Sequence, residues 1–241
     1  MGTSRMITDE QRDLYATYEP LNLKYYKVYR KYFKDFTSKD NLRVVDVGGG
    51  SGHFARKVKT YFNKNGVDVN MTVVDYCEYL QWEQIEDIEF VKMSAYNYLS
   101  ELEDESVDIL FLNAILHHLT FDTYRQTRNS QRELLELSHA KLKKGGILCM
   151  RECYSESPLI KNLTTPVIYY LTSSRLSIIE RIARRFGSTS AGVGVCFLSP
   201  KVWQKTFTKI GFTIINTTIF PWWWSVPYLV RSNRVAFVLK K

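Results

Sequence analysis

Four places in this chain carry residue types that do chemistry, and each stands where an apolar run gives out. Asp46 lies among Val44, Val45 and Val47 and leads into Gly48, Gly50 and Gly52, within the stretch LRVVDVGGGSGHF at 42–54. Asp75 closes the apolar run 71–74 and Tyr76 follows it. His117 and His118 come just after VDILFLN at 107–113, and Arg151 and Glu152 stand near the end of the run 147–153. A carboxylate at such an end can take a cation or a pair of hydroxyls. Alternating glycines let the backbone turn sharply and come close to a ligand with no Cβ in the way. A histidine pair is of the kind that takes a proton near neutral pH, or else one ring packs under a helix and bonds a carbonyl. Arg151 and Glu152 either face a pocket or pair with each other.

These residues need elements to hold them. The β-branched run 44–47 reads as a buried parallel strand that delivers Asp46 to the rim of a sheet. Residues 53–64 have the length and composition of a helix whose first amides point back at the same spot. Strand, glycine turn and helix make a nucleotide-type cradle. A dinucleotide fingerprint needs glycines at the first, third and sixth positions of its loop, and counted from Gly48 the sixth is His53, so that fingerprint fails. A carboxylate at Asp46 suits a ligand with an ammonium group at that end. Asp75, at the end of a second strand, takes the place that binds ribose hydroxyls in doubly wound nucleotide folds, with Tyr76 positioned to lie against a base.

The D-x-G-x-G-x-G arrangement of Asp46, Gly48, Gly50 and Gly52 resembles the first motif of class I S-adenosylmethionine-dependent methyltransferases. The strand 107–113 with the following ILHHL is similar to the family's fourth motif, whose strand end, Asn113 here, faces donor and acceptor. LKKGGIL at 142–148 is similar to its late motif. The resemblance covers about 42–153. It implies an α/β fold with a doubly wound, seven-stranded, mostly parallel sheet, S-adenosylmethionine as cofactor, and methyl transfer to oxygen, nitrogen or carbon. It also implies that Asp46 sits near the methionine ammonium, that Gly48, Gly50 and Gly52 let the backbone approach, and that Asp75 holds the ribose. After the third strand, at 89–93, the family commonly carries an acid that bonds the adenine amino group. This chain has Ser94 and Ala95 there, so Ser94 or a backbone carbonyl has to take that contact.

With 241 residues, 45% of them hydrophobic, the chain is long enough for one α/β domain: a helical cap over 1–40, a cofactor-binding core over 41–154, a substrate-side insertion over 155–198, and a last helix with edge strands over 199–241. The formal charge of +8 favours acidic partners or surfaces. Cys77, Cys149, Cys153 and Cys196 show no zinc spacing, and no metal is expected. Free thiols and the lack of an apolar leader or membrane-length run fit a cytoplasmic protein. Residues 8–36 read as a helix capped by Asp9 and rich in tyrosine, whose rings either pack on the sheet or form a lid over the ligand. A basic amphipathic helix within 175–186 serves as a lid, a homodimer surface or, with Trp222, Trp223 and Trp224, a peripheral contact with an anionic membrane. Residues 121–143 read as a long helix with Leu134, Leu135 and Leu142 inward, stopped by Gly145 and Gly146. The segment 221–233, long for a hairpin, is expected to pack over the pocket mouth or make a subunit contact.

The aromatic count and the insertion favour a small-molecule acceptor, apolar or lipid-like. Nucleic-acid amino methylation usually goes with an acid or asparagine followed by two prolines and an aromatic, and Asn113, Ala114, Ile115 and Leu116 lack the prolines. Protein methylation, or a cofactor-binding module without turnover, are the remaining readings.

Overall fold

The computed structural model describes residues 22–78, 87–157, 164–174, 194–226 and 230–241. In chain order the elements are α1 (Asn22–Phe33) with a 3₁₀ turn (Lys34–Phe36), β1 (Asn41–Val47), α2 (His53–Lys64), β2 (Asp68–Asp75), β3 (Glu89–Lys92), α3 (Ala95–Glu101) and β4 (Val107–Asn113). A second 3₁₀ turn (Leu116–His118) leads to α4 (Tyr124–Lys141), β5 (Leu142–Glu156), α5 (Thr164–Ser173), α6 (Pro200–Ile210), β6 (Thr213–Val226) and β7 (Val230–Lys240). Asp9, Tyr15, Tyr18 and the basic helix expected within 175–186 lie outside the described residues, as do the side chains of Trp222 to Trp224.

The seven strands form one sheet in the order β3-β2-β1-β4-β5-β7-β6. The first five run parallel and β7 inserts antiparallel between β5 and β6, so the expected doubly wound, mostly parallel sheet is what the chain forms. The order reverses between β1 and β4, which places the ligand crevice above their carboxyl ends. The middles of β1 and β4 are apolar on both sides because helices cover both faces. Val44, Val45, Val47, Ile109, Leu110, Phe111 and Leu112 are all fully buried.

One face packs α3, α4 and α6 through Leu99, Leu134, Leu135, Trp203 and Phe207. The other packs α1 and α2 through a ring cluster, with Phe54 5.0 Å from Phe111 and Phe33 5.3 Å from Phe62 between centroids. Tyr25, Tyr26 and Tyr29 belong to this cluster, so the described tyrosines of α1 pack on the sheet. Their amphipathic rings serve that purpose while leaving a hydroxyl to bond elsewhere.

Two expectations need correction. Gly145 and Gly146 do not stop a helix. α4 ends at Lys141, where the Leu142 N–H bonds the Ser138 carbonyl, and Leu142 already belongs to β5. The glycines instead form an irregularity where the β4–β5 register shifts: Gly145 has φ +79°, and a Cβ on Gly146 would lie 2.9 Å from the Lys143 carbonyl and 3.0 Å from that of Asp108. Across its described residues, 221–226 and 230–233, the segment expected as a long connection is not open loop. β6 and β7 continue as a paired ribbon past a register shift, with Pro221 opposite Asn233 and Val226 opposite Val230, because the backbone groups of an edge ribbon are best satisfied by each other. Among the described residues no helix is long and apolar enough to cross a membrane.

Candidate functional site

At the end of β1 the chain must turn at once into α2, and the glycines permit it. Gly48 (φ +71°) donates its N–H to the Val74 carbonyl at 2.7 Å, which fastens the loop to β2, and Gly52 (φ +83°) caps α2. A Cβ on Gly48 would lie 2.9 Å from Ile115 Cδ1. One on Gly49 would lie 2.9 Å from Asp46 Oδ2 and from Val73 Cγ1. Gly49, which the alternating pattern passes over, is therefore the glycine that leaves room for the Asp46 carboxyl. The only trace of it in the sequence is the unbroken run of three glycines.

Asp46 is 1% exposed, and its Oδ1 has no hydrogen-bond partner. Burial first, and then the charge of Asp75, push this carboxyl up to about 8 against the opposing pull of Arg151. In the unliganded protein it holds its proton at neutral pH. A cation brought to Oδ1 would reverse that. Asp75 is held differently. Its Oδ2 accepts the Gly50 N–H at 3.0 Å and its Oδ1 accepts the Cys77 N–H at 2.9 Å, which ties the glycine loop to the end of β2. The carboxylate, which the Tyr76 N–H also bonds, keeps acceptor capacity for a further donor. Tyr76 beside it is largely exposed, as a stacking surface for a flat ligand would be. Ser94 caps α3 by accepting the Asn97 N–H at 3.2 Å, and Ala95 is the first residue of that helix.

The strand ends on the other side of the crevice carry side chains. Asn113 accepts a hydrogen bond from the Tyr29 hydroxyl at 3.1 Å and is the register partner of Arg151. Ala114 turns the chain with φ +59°, a conformation that strains a residue with a Cβ, and its N–H bonds the Arg151 carbonyl at 2.7 Å. The turn that follows is bound to Glu152. Its Oε1 accepts the Leu116 N–H at 2.9 Å and its Oε2 meets His117 Nδ1 at 2.6 Å, with both side chains buried. When Nδ1–H donates to this carboxylate, the lone pair of the neutral ring lies on Nε2, which bonds no protein group among the described residues. His118 packs its ring 4.0 Å from that of His117. Burial, and then His117, hold it well below its ordinary value, so it stays neutral. Glu152 and Arg151 do not pair with each other, because successive residues of a strand point to opposite faces. Arg151 lies instead with its guanidinium 4.7 Å from the centre of the Tyr25 ring.

The structure thus gathers Asp46, the glycines, Asp75 and Tyr76 on the β1–β2 side and Asn113, His117 and Glu152 on the β4–β5 side. Gly49 joins them without having been singled out, and Tyr25 and Tyr29 join them from the tyrosine-rich first helix. No group of histidine, cysteine and carboxylate side chains able to hold a metal occurs among the described residues.

Residues 45–150 match a family described as "Methyltransferase domain". No curated protein gives a significant match. Among solved structures, the fold is similar to that of a SAM-dependent methyltransferase from Archaeoglobus fulgidus, with 18% identity, a TM-score of 0.54, and 91% of this chain and 94% of that one covered. It is also similar to a Burkholderia thailandensis 1,6-didemethyltoxoflavin-N1-methyltransferase bound to S-adenosylhomocysteine, with 16% identity, a TM-score of 0.50, and 100% and 93% covered. A Haemonchus contortus phosphoethanolamine N-methyltransferase 2, also with S-adenosylhomocysteine, shows 15% identity and a TM-score of 0.52 over 84% of this chain and 49% of that one. The matched stretch, 45–150, spans both strand ends that flank the crevice, and the seven-stranded sheet gives the chain the same overall fold as these methyltransferase structures.

Proposed function

We propose that this chain methylates a small organic acceptor whose nucleophile must lose a proton. The observation that carries the donor side is the buried Asp46 carboxyl, one oxygen of which has no partner and which faces a loop that any Cβ at Gly48 or Gly49 would crowd. Such an unpartnered oxygen costs stability until a ligand supplies a donor. The residues fit S-adenosylmethionine: Asp46 for the methionine ammonium, Asp75 for the ribose hydroxyls, Tyr76 for one face of the adenine. The Ser94 hydroxyl still has its proton to donate at the adenine edge. When bound, the cofactor supplies a methyl group on a sulfonium, open to in-line attack.

On the acceptor side, His117 takes the proton at Nε2, and Glu152 holds the ring by Nδ1 so that Nε2 points one way. A positioned base of this kind contributes roughly 10²–10⁴-fold, while holding two reactants in line contributes more. His118, kept neutral, packs its ring at an angle against that of His117 and limits its movement. Tyr25, whose ring lies against Arg151 at the β5 end, supports a small acceptor with a flat or apolar body rather than a polymer.

Calorimetry with S-adenosylhomocysteine tests the donor side. Asp75→Ala is expected to weaken binding about a hundredfold or more, since two hydroxyls lose a charged acceptor; an unchanged affinity would remove the ribose assignment. Transfer of label from S-adenosylmethionine into a fractionated cell extract tests the acceptor side. Label in the small-molecule fraction is expected, and label confined to nucleic acid or protein would overturn that reading.

A further inference from the structure

We propose that Arg151 is the receptor for an acidic group on the acceptor, a carboxylate or a phosphate, so that the molecule methylated is an organic acid. This rests on the methyl-transfer reading above and adds the charge of its substrate.

Arg151 stands at the carboxyl end of β5, beside Asn113 across the β4 ladder, on the sheet face that packs α1. It is partly buried, and its Nε is shut off from solvent with no hydrogen-bond partner. Its side chain forms no hydrogen bond or ion pair with any described residue. The contact it makes is with the Tyr25 ring, 4.7 Å away, a ring face that fixes the plane of a guanidinium without using any of its N–H groups. Five donors are thus held in orientation and left unspent.

The lysines that lean into the sheet are treated otherwise. Lys39 and Lys143 both bond Asp108, at 2.5 and 2.7 Å, and Lys141 bonds Asp104 at 2.7 Å and the Leu102 carbonyl at 2.8 Å. The nearest acid to Arg151 in effect is Asp46, which the unliganded protein keeps protonated. Glu152 points to the opposite face and is fully engaged with Leu116 and His117.

A planar, always charged fork suits a carboxylate or phosphate bound by two parallel hydrogen bonds. An acceptor held there by its acidic end would lie over the β4 and β5 ends, with the Glu152–His117 pair on the other side of the strand.

The test follows the Arg151 Nε–H signal in the ¹H–¹⁵N spectrum of the full chain, assigned as the signal missing from Arg151→Gln. Free and S-adenosylhomocysteine-loaded protein are each titrated with benzoate, inorganic phosphate and, as a neutral control, benzamide. We expect benzoate or phosphate to shift this signal saturably and benzamide to leave it in place. Whichever anion binds tighter names carboxylate or phosphate as the source. In Arg151→Gln that anion is expected to bind about tenfold more weakly or worse, with Arg151→Lys in between because it keeps the charge and loses the fork. Affinity for S-adenosylhomocysteine should change less than about threefold in both variants. Equal response to benzoate and benzamide, or no response to either anion, overturns the proposal while leaving the donor side intact. A tenfold loss of S-adenosylhomocysteine affinity in Arg151→Gln also overturns it, assigning the guanidinium to the carboxylate of the cofactor. If S-adenosylhomocysteine fails to bind the unaltered chain while the anions still move Arg151, the methyl-transfer reading falls and the anion site stands.

Discussion

Asp46 and Asp108 are both buried aspartates set in apolar, neighbouring strands, at opposite ends of the sheet. Asp108, at the foot of β4, is 0% exposed and has three partners: Lys39 Nζ at 2.5 Å, Lys143 Nζ at 2.7 Å and the Arg43 N–H at 3.0 Å. Burial would raise its pKa, yet the bonds from Lys143, Lys39 and Arg43 overcome it and hold the carboxyl below its ordinary range. Asp46, at the head of β1, is as deeply buried and keeps an oxygen without a partner, and its carboxyl rises to about 8. The first acid is complete within the fold. The second, in the role proposed for it above, is complete only when something cationic arrives, and that difference, more than burial, would tell a binding acid from a structural one.

The largest expected effect is on the pH dependence of ligand binding. Because Asp46 must give up its proton to accept an ammonium, affinity for S-adenosylhomocysteine should rise close to tenfold per pH unit between about pH 6 and pH 8, then level off. Asp46→Asn should bind weakly with a nearly flat profile. Calorimetry in buffers of different ionisation enthalpy would also register the proton released. An unaltered slope in Asp46→Asn would break the comparison. In the unliganded protein the sign is opposite: a carboxyl raised from 3.8 to about 8 lends stability that is complete below the lower value and lost as pH climbs through the higher.

Next comes Asp108→Asn, expected to cost about 2 kcal/mol in thermal or urea unfolding at neutral pH, since two half-exposed lysines lose their shared acid. Its affinity for S-adenosylhomocysteine should stay within about twofold of the parent. The stability that Asp108 lends is present above its unfolded pKa and goes as pH falls through its lowered folded one, so the variant and the parent should converge in acid. Smallest is Tyr29→Phe. Removing the hydroxyl that bonds Asn113 should cost about 1 kcal/mol of stability and loosen the β4 end modestly. A larger loss of ligand affinity than in Asp46→Asn would mean that Asn113, not Asp46, governs the donor side.

How much of this could be read in the sequence follows from contact distance along the chain. The donor side is local: Asp46, the glycines and α2 are consecutive, and Asp75 reaches Gly50 across 25 positions of a standard strand–helix–strand unit. Residue spacing therefore carries it, and the helix expected over 53–64 is α2 as found. The acceptor side is assembled from pieces brought together by the sheet. Glu152 meets His117 from 35 positions away and Tyr29 meets Asn113 from 84, and no spacing rule links such pairs. The same holds for Arg151 and Glu152, whose divergence is fixed only once their segment is known to be extended. Gly145 and Gly146 misled because a glycine pair after a helix ordinarily ends it, whereas here the strand pairing with β4 had already begun.

The ring cluster under α1 has a consequence for where this protein can be cut. Phe54, Val73, Ile109 and Phe111 belong to the stretch that matches the domain by sequence, yet what shields them from water is Tyr29 and Phe33 on one flank and, continuing the same cluster, Ala236 and Val238 near the far terminus. Expressed by itself, 45–150 would present a greasy sheet face to solvent and clump. The unit that evolution recognises and the unit that folds are different lengths of the same polymer.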